Sequence, residues 1–135
     1  MSEGDIVVID DSYLILERIR ERLSAEGYTV RTTTGQAAAQ KLVQRADLAI
    51  VDFHMPGIDG AEMLSMLREA HPEATCLYYL YTSDRDVASK YEKLGFDGAF
   101  LRKGEEAALV PQVSAVFRTI RMRKLARKLR LERGR

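Results

Sequence analysis

The chain has one cysteine, Cys76, and only two histidines among its 135 residues. A lone thiol forms no internal disulfide and no multi-thiolate metal site. Its place in the apolar run "TCLYYLY" marks it as a buried strand residue rather than a reactive group. No apolar stretch approaches the roughly 20 residues that a membrane-spanning helix needs. The N-terminal "MSEGD" is acidic and polar, so no secretory signal is expected and a cytoplasmic setting is. Internal repeats, low-complexity segments and interdomain linkers are absent too. No helix-turn-helix, winged domain or nucleotide-cyclase motif follows the last predicted strand, so output is expected to run through a partner or through sequence beyond this chain.

What is present describes one globular domain. Hydrophobic residues make up 46% and charged residues 30%, an ordinary balance for a chain that buries a single core. The net charge of +1 conceals an asymmetry. Residues 118–135 carry nine Arg or Lys against one acid, Glu132, which is +8 there and leaves −7 for the first 117 residues. An acidic body carries a basic tail.

Strand and helix patterns alternate along the body. "IVVID" (6–10) reads as a buried strand, and Leu16, Ile19 and Leu23 then recur at helical spacing between a Ser12 N-cap and a Gly27 stop. A strand is predicted over 28–32, a helix over 36–45, a strand over 47–52 and a helix over 61–71. Further strands are predicted over 75–81 and 97–102, with a helix over 84–95 between them. Its face would be Val87, Tyr91 and Leu94. Five strands alternating with helices predict an α/β fold, a parallel sheet covered on both faces with right-handed crossovers. The continuous apolar runs of the first, third and fourth strands fit that double cover.

In an open sheet of this kind, ligands sit outside the carboxyl ends of the strands, where strand order reverses. The first strand ends in Asp10 and Asp11, the third in Asp52, the fourth in Thr82 and Ser83, and the fifth in Arg102 and Lys103. Three carboxylates brought together repel one another unless a cation sits among them. A hard divalent ion with oxygen ligands meets that need, and Mg²⁺ takes a few carboxylates plus a phosphate oxygen. A lysine as a movable point charge and a threonine hydroxyl suit a phosphoryl group.

"DD" after the first strand, "DFHMPGIDG" after the third, "TS" after the fourth and "K" after the fifth resemble the receiver domain of two-component response regulators over residues 5 to about 117. The resemblance implies a doubly wound, flavodoxin-like sheet of order 2-1-3-4-5. It implies Asp52 as phosphoacceptor, Asp11 as direct ligand of Mg²⁺ (or Mn²⁺), Asp10 acting through metal-bound water, and the backbone carbonyl of His54 as a further ligand. Thr82 matches the switch hydroxyl, Lys103 the phosphate-pairing lysine and Phe100 the switch aromatic, while Met55, Pro56, Asp59 and Gly60 match the turn after the acceptor. The implied partners are a histidine kinase or phosphotransfer protein and a downstream effector, with a homodimer through the helix 4 to helix 5 surface open as a further arrangement. No diffusible substrate is turned over, so the chain is not expected to be an enzyme.

The chain departs from the family in three places. Gly104 stands where proline usually follows the lysine, which leaves that peptide trans by default. From Gly95 to Lys103 there is one residue more than in most receivers, so an ungapped match would put Arg102 and Ala99 in the lysine and aromatic positions. Alternation favours Lys103 and Phe100. The fourth helix is about two residues short. These departures keep a second reading open, a phosphorylation-independent interaction module working through the helix 4 to helix 5 surface and the tail; a metal phosphatase using the same acids is more distant.

The remaining polar and aromatic residues carry blander readings. His54 lies in a turn and His71 precedes Pro72 at a helix end, which favours solvated or capping roles. Tyr78, Tyr79 and Tyr81 read as sheet packing rather than a base-stacking platform. In the last helix, Leu109, Val113, Val116, Phe117 and Ile120 form one stripe, while Met122, Leu125, Ala126 and Leu129 fall on the opposite face among Arg123, Lys124, Arg127, Lys128 and Arg130. Residues 1–117 are therefore read as the receiver and 118–135 as a basic amphipathic extension, a linker or dimerising helix in preference to a membrane or nucleic-acid contact.

Overall fold

The structure is a computed structural model that describes residues 2–134; Met1 and Arg135, the outer limits of the two predicted segments, lie outside the described residues. Its order is β1 (Asp5–Ile9), α1 (Tyr13–Ala25), β2 (Thr29–Thr33), α2 (Gln36–Val43), β3 (Leu48–Val51), β4 (His54–Met55), β5 (Ile58–Asp59), α3 (Gly60–Ala70), β6 (Leu77–Tyr81), α4 (Arg85–Ser89), β7 (Gly98–Phe100) and α5 (Glu106–Arg133). Five strands form a parallel sheet of order β2-β1-β3-β6-β7. This is the flavodoxin-like order expected, with the fourth and fifth strands numbered β6 and β7 because a two-residue antiparallel hairpin, β4–β5, intervenes.

The apolar strands are explained by their two covered faces. Along β1, Ile6 and Val8 enter a core shared with Leu16, Ile19 and Leu23 of α1 and with Leu109, Val113 and Phe117 of α5. Val7 and Ile9 enter the other core, against Ala39 and Val43 of α2 and Met63, Leu64 and Leu67 of α3. Ile6–Ile9 of β1 and Leu48–Val51 of β3 are all buried, so alternation disappears from these stretches of the sequence. Each fully buried Leu, Ile or Val contributes about 1.5–3 kcal/mol relative to exposure.

Local signals set the helix starts. The Ser12 side chain accepts from the Ile15 N–H, and Gly27 follows the helix at φ 97°. Pro56 and Gly57 turn the β4–β5 hairpin, with Gly57 at φ 79°, the left-handed position that favours glycine.

Several predicted boundaries are corrected. The helix expected over 84–95 ends at Ser89, and residues 90–95 continue as hydrogen-bonded turns of mixed length, with Tyr91 N–H donating to Ala88 O, Leu94 N–H to Lys90 O and Gly95 N–H to Glu92 O. The strand expected over 97–102 is Gly98–Phe100, because Arg102 adopts φ 65° and leaves the sheet. The second strand is shifted to Thr29–Thr33, with Tyr28 packed on Phe117 at 4.9 Å between ring centres. The last helix runs unbroken through the tail, and residues 121–134 are all exposed. Among the described residues, no helix is long and apolar enough to cross a membrane.

Candidate functional site

The sheet order reverses between β1 and β3, and parallel register brings their ends together: Ile9 pairs with Val51, and the Asp52 N–H donates to Ile9 O at 2.9 Å. Asp10 and Asp52, one residue beyond these partners, are therefore neighbours at the carboxyl rim. Both are buried, at 2% and 7% exposure, whereas Asp11 is exposed. Carboxylate oxygens of Asp10, Asp11 and Asp52 lie within 4.8 Å of one another.

Lys103 arrives from the far edge of the sheet. Its Nζ donates to Asp10 Oδ2 at 2.8 Å and to Asp52 Oδ1 at 2.7 Å, with the side chain only 10% exposed. Burial alone would lower the Lys103 pKa, but its hydrogen bonds to Asp10 and Asp52 outweigh that and hold the ammonium above its ordinary value. Asp52 lies above the ordinary carboxylate value: burial raises it, the hydrogen bond and charge of Lys103 oppose, and Asp10 and Asp11 add to the rise. One ammonium against three carboxylates leaves a surplus of two negative charges. An all-oxygen donor set with that surplus fits a hard divalent cation such as Mg²⁺ or Mn²⁺.

Other predicted residues stand around this centre. Thr82, 6% exposed at the end of β6, accepts on its Oγ1 from the Asp84 N–H at 3.1 Å, outside the Lys103 network. His54 sits in β4 two residues after Asp52, with a largely exposed imidazole whose Nε2 lies 3.1 Å from Asp84 Oδ2. That hydrogen bond, with the Val87 backbone N–H, holds the Asp84 carboxyl below its ordinary value. Phe100 is buried, stacked on Tyr79 at 4.6 Å and edge-on to Tyr81 at 6.5 Å. Arg102 points away to Glu105, and Ala99 packs in the core on the opposite face from Phe100. Cys76 is buried, and burial pushes its thiol up to about 12, an inert group.

Sequence reading missed the residues that shape the Lys103 loop. Gln112 hydrogen-bonds both backbone groups of Leu101, and Glu105 takes Arg102 in a two-point ion pair. The Tyr81 ring lies 5.8 Å from Lys103 Nζ. The one signal for the loop was Gly104, observed at φ 97°; no peptide there is cis.

A sheet of this order, with acids after β1 and β3, a hydroxyl after β6 and an ammonium after β7, defines a doubly wound α/β domain with an acid–lysine centre at its switch point. The chain belongs to the response regulator receiver domain family, whose profile matches residues 6–114. It is similar to the DNA-binding transcriptional regulator NtrC of Escherichia coli, 30% identical over 100 residues that span 72% of this chain and 21% of that protein. It is also similar to the heme response regulator HssR of Staphylococcus haemolyticus, 29% identical over 117 residues, 83% of this chain and 50% of that one. The chain thus spans about a fifth to a half of the length of these curated relatives.

Among solved structures it is similar to the response regulator TrrA of Thermotoga maritima in complex with Mg²⁺ and BeF, with TM-score 0.69 and 27% identity over 83% of this chain and 97% of that one. NtrX of Brucella abortus shares the fold at TM-score 0.76 and 21% identity, over 96% of this chain and 30% of that one. Membership makes this a two-component signalling domain, of a family that binds Mg²⁺ at such an acidic pocket.

Proposed function

We propose that this chain accepts a phosphoryl group on Asp52 from the phosphohistidine of a partner kinase or phosphotransfer protein, and that the resulting aspartyl phosphate switches a surface read by an effector. The observation that carries this reading is the Lys103 ammonium held between Asp10 and Asp52 at the sheet's switch point. An Asp52 carboxylate oxygen attacks phosphorus in line as the P–N bond breaks, and the departing imidazole nitrogen takes the electron pair and a proton from solvent. Lys103 follows the incoming phosphoryl oxygens as a compact point charge. A bound Mg²⁺ or Mn²⁺ supplies further charge neutralisation, and Asp11, Asp52 and the His54 carbonyl would hold it directly, with Asp10 through water.

The product carries about −1.5 to −2 charges where one stood, by analogy with other phosphoresidues. Thr82 turns its hydroxyl from Asp84 to the new oxygens, and Phe100 repacks against Tyr79 and Tyr81 in response. The surface that changes adjoins a cleft of about 930 Å³ between α4 and the β7–α5 loop, lined by Thr82, Tyr91, Leu101 and Lys103 among others. Leu101 is 61% exposed there, a point of contact for an effector or a second copy. Incubation with Mg²⁺ and acetyl phosphate tests the assignment by intact mass. The wild-type chain gains one phosphoryl group and Asp52→Asn gains none; a wild-type chain that stays unmodified, or a variant still labelled, would sink the assignment.

A further inference from the structure

Lys103 leaves an edge strand, so no neighbouring strand holds it on its outer side. Its loop also contains two left-handed residues, Arg102 at φ 65° and Gly104 at φ 97°, on either side of the lysine. A left-handed arginine is unfavourable on its own and persists only where its surroundings hold it.

Three sets of contacts do so. The Gln112 side-chain amide reaches from α5 and replaces the missing strand: the Leu101 N–H donates to its Oε1 at 2.8 Å, and its Nε2 donates to Leu101 O at 3.0 Å and to Ala108 O at 2.9 Å. The Arg102 guanidinium grips the Glu105 carboxylate at two points, Nε at 2.6 Å and Nη2 at 3.0 Å. The Glu105 N–H closes the loop onto Arg102 O at 3.0 Å. Single exposed ion pairs contribute little, but this one is bidentate and spans a loop already pinned at Leu101.

The geometry points to Gln112, Arg102 and Glu105 as positioning residues for phosphoryl transfer, a clamp that aims the Lys103 ammonium at the acceptor. The inference rests on the proposed role of Lys103 at Asp52. A lysine has a flexible four-carbon stem, so a loose backbone beneath it spreads the ammonium over many positions. Misplacing a reacting or charge-stabilising group by about 1 Å costs on the order of a hundredfold in rate, and losing one arm of the clamp should cost about tenfold.

The test compares Gln112→Leu and Arg102→Gly in the full chain, with Lys103→Ala and Asp52→Asn beside them. Arg102→Gly permits the same left-handed turn, removes the guanidinium and relieves the strain of a left-handed arginine. Phosphorylation rate with acetyl phosphate, Mg²⁺ half-saturation by tyrosine fluorescence, and melting midpoint are measured for each. Both clamp variants should lose about tenfold in rate with unchanged melting and with Mg²⁺ binding no weaker, since a freed ammonium competes less for Asp10 and Asp52. Wild-type rates in both, beside a slow Lys103→Ala, would overturn the clamp alone. A rate loss that follows a lowered melting midpoint in both would also overturn it, because the contacts would then be holding the fold rather than the lysine. A wild-type rate in Lys103→Ala removes the clamp's purpose, and labelling of Asp52→Asn refutes the acceptor reading beneath it.

Discussion

Asp52 and Lys103 form a pair in which burial opposes both charges, and the balance falls differently on each. Burial, with the charges of Asp10 and Asp11 added to it, lifts the Asp52 pKa further than Lys103 pulls it down, so folding favours its protonated form. Its ionisation therefore weakens the fold above the raised value, and that loss is relieved as pH falls through it. Lys103 has the opposite sign: its raised pKa gives stability that is complete below its unfolded value and is lost as pH rises through the folded one. Carboxyl ¹³C shifts recorded without divalent ion should place the Asp52 midpoint above the ordinary carboxylate range, and Lys103→Ala should raise it further. An Asp52 that titrates like an exposed aspartate would contradict this balance. Gly60 gives a steric test beside the same residue. A Cβ there would lie 2.7 Å from the Asp52 carbonyl oxygen and 2.9 Å from the Phe53 Cα, backbone atoms that cannot step aside cheaply. Gly60→Ala should cost about 1–3 kcal/mol in denaturant unfolding, for a residue the sequence marked only as part of a turn. The acids and Lys103 were legible because strand ends in this topology converge by rule. Gln112 was not, since nothing in a helical glutamine says which backbone it will meet.

Among the elements, α3 and α4 show what periodicity can and cannot carry. Asp59 caps α3 through its side chain and the Glu62 N–H at 2.8 Å, and the Glu62 side chain returns to the Asp59 N–H at 3.4 Å, a reciprocal capping box. The cap also ends the β4–β5 hairpin that follows Asp52, so it ties the acceptor loop to a helix. Asp59→Ala should destabilise by about 1 kcal/mol, read as a lower urea midpoint at unchanged slope. For α4, Val87, Tyr91 and Leu94 kept a common face, and all three pack against the second core. Yet the helix stops at Ser89. Successive three- and four-residue turns, Tyr91 N–H to Ala88 O and Leu94 N–H to Lys90 O among them, return side chains to one face almost as a helix does, so the spacing decided the face and left the backbone type open. Gly95 at φ 94° and the Phe96 N–H bond to Tyr91 O end this segment, and only the glycine was visible beforehand.

At the scale of the whole molecule, the tail helix stands apart from the body that supports it. The core stripe of α5 ends with Phe117 and the partly buried Ile120, and among the described residues the one ion pair back to the body beyond that point is Lys124 with Asp47 at 3.6 Å, on an exposed lysine. We propose that the receiver ends near residues 117–120 and that the rest of α5 is an extension of its last helix. Like charges recur at helical neighbours there, Arg123 with Arg127 and Lys124 with Lys128, and each such pair weakens an isolated helix by a few tenths of a kcal/mol. Met122, Leu125 and Leu129 are exposed on a face the body does not cover. A helical segment of this length is marginal by itself in water, so its backbone amides should exchange much faster from residue 121 onward than through Val113–Phe117, and added salt should slow that exchange by screening the repulsion. Removing residues 121–135 should change stability by less than about 1 kcal/mol, the scale of one exposed ion pair, and leave the phosphorylation rate with acetyl phosphate unchanged. It would also turn a nearly neutral chain strongly acidic, which ion-exchange retention reports directly. A truncated chain that melts far lower, or takes up phosphate slowly, would mean that the tail is part of the receiver's own fold rather than an arm held out toward a partner.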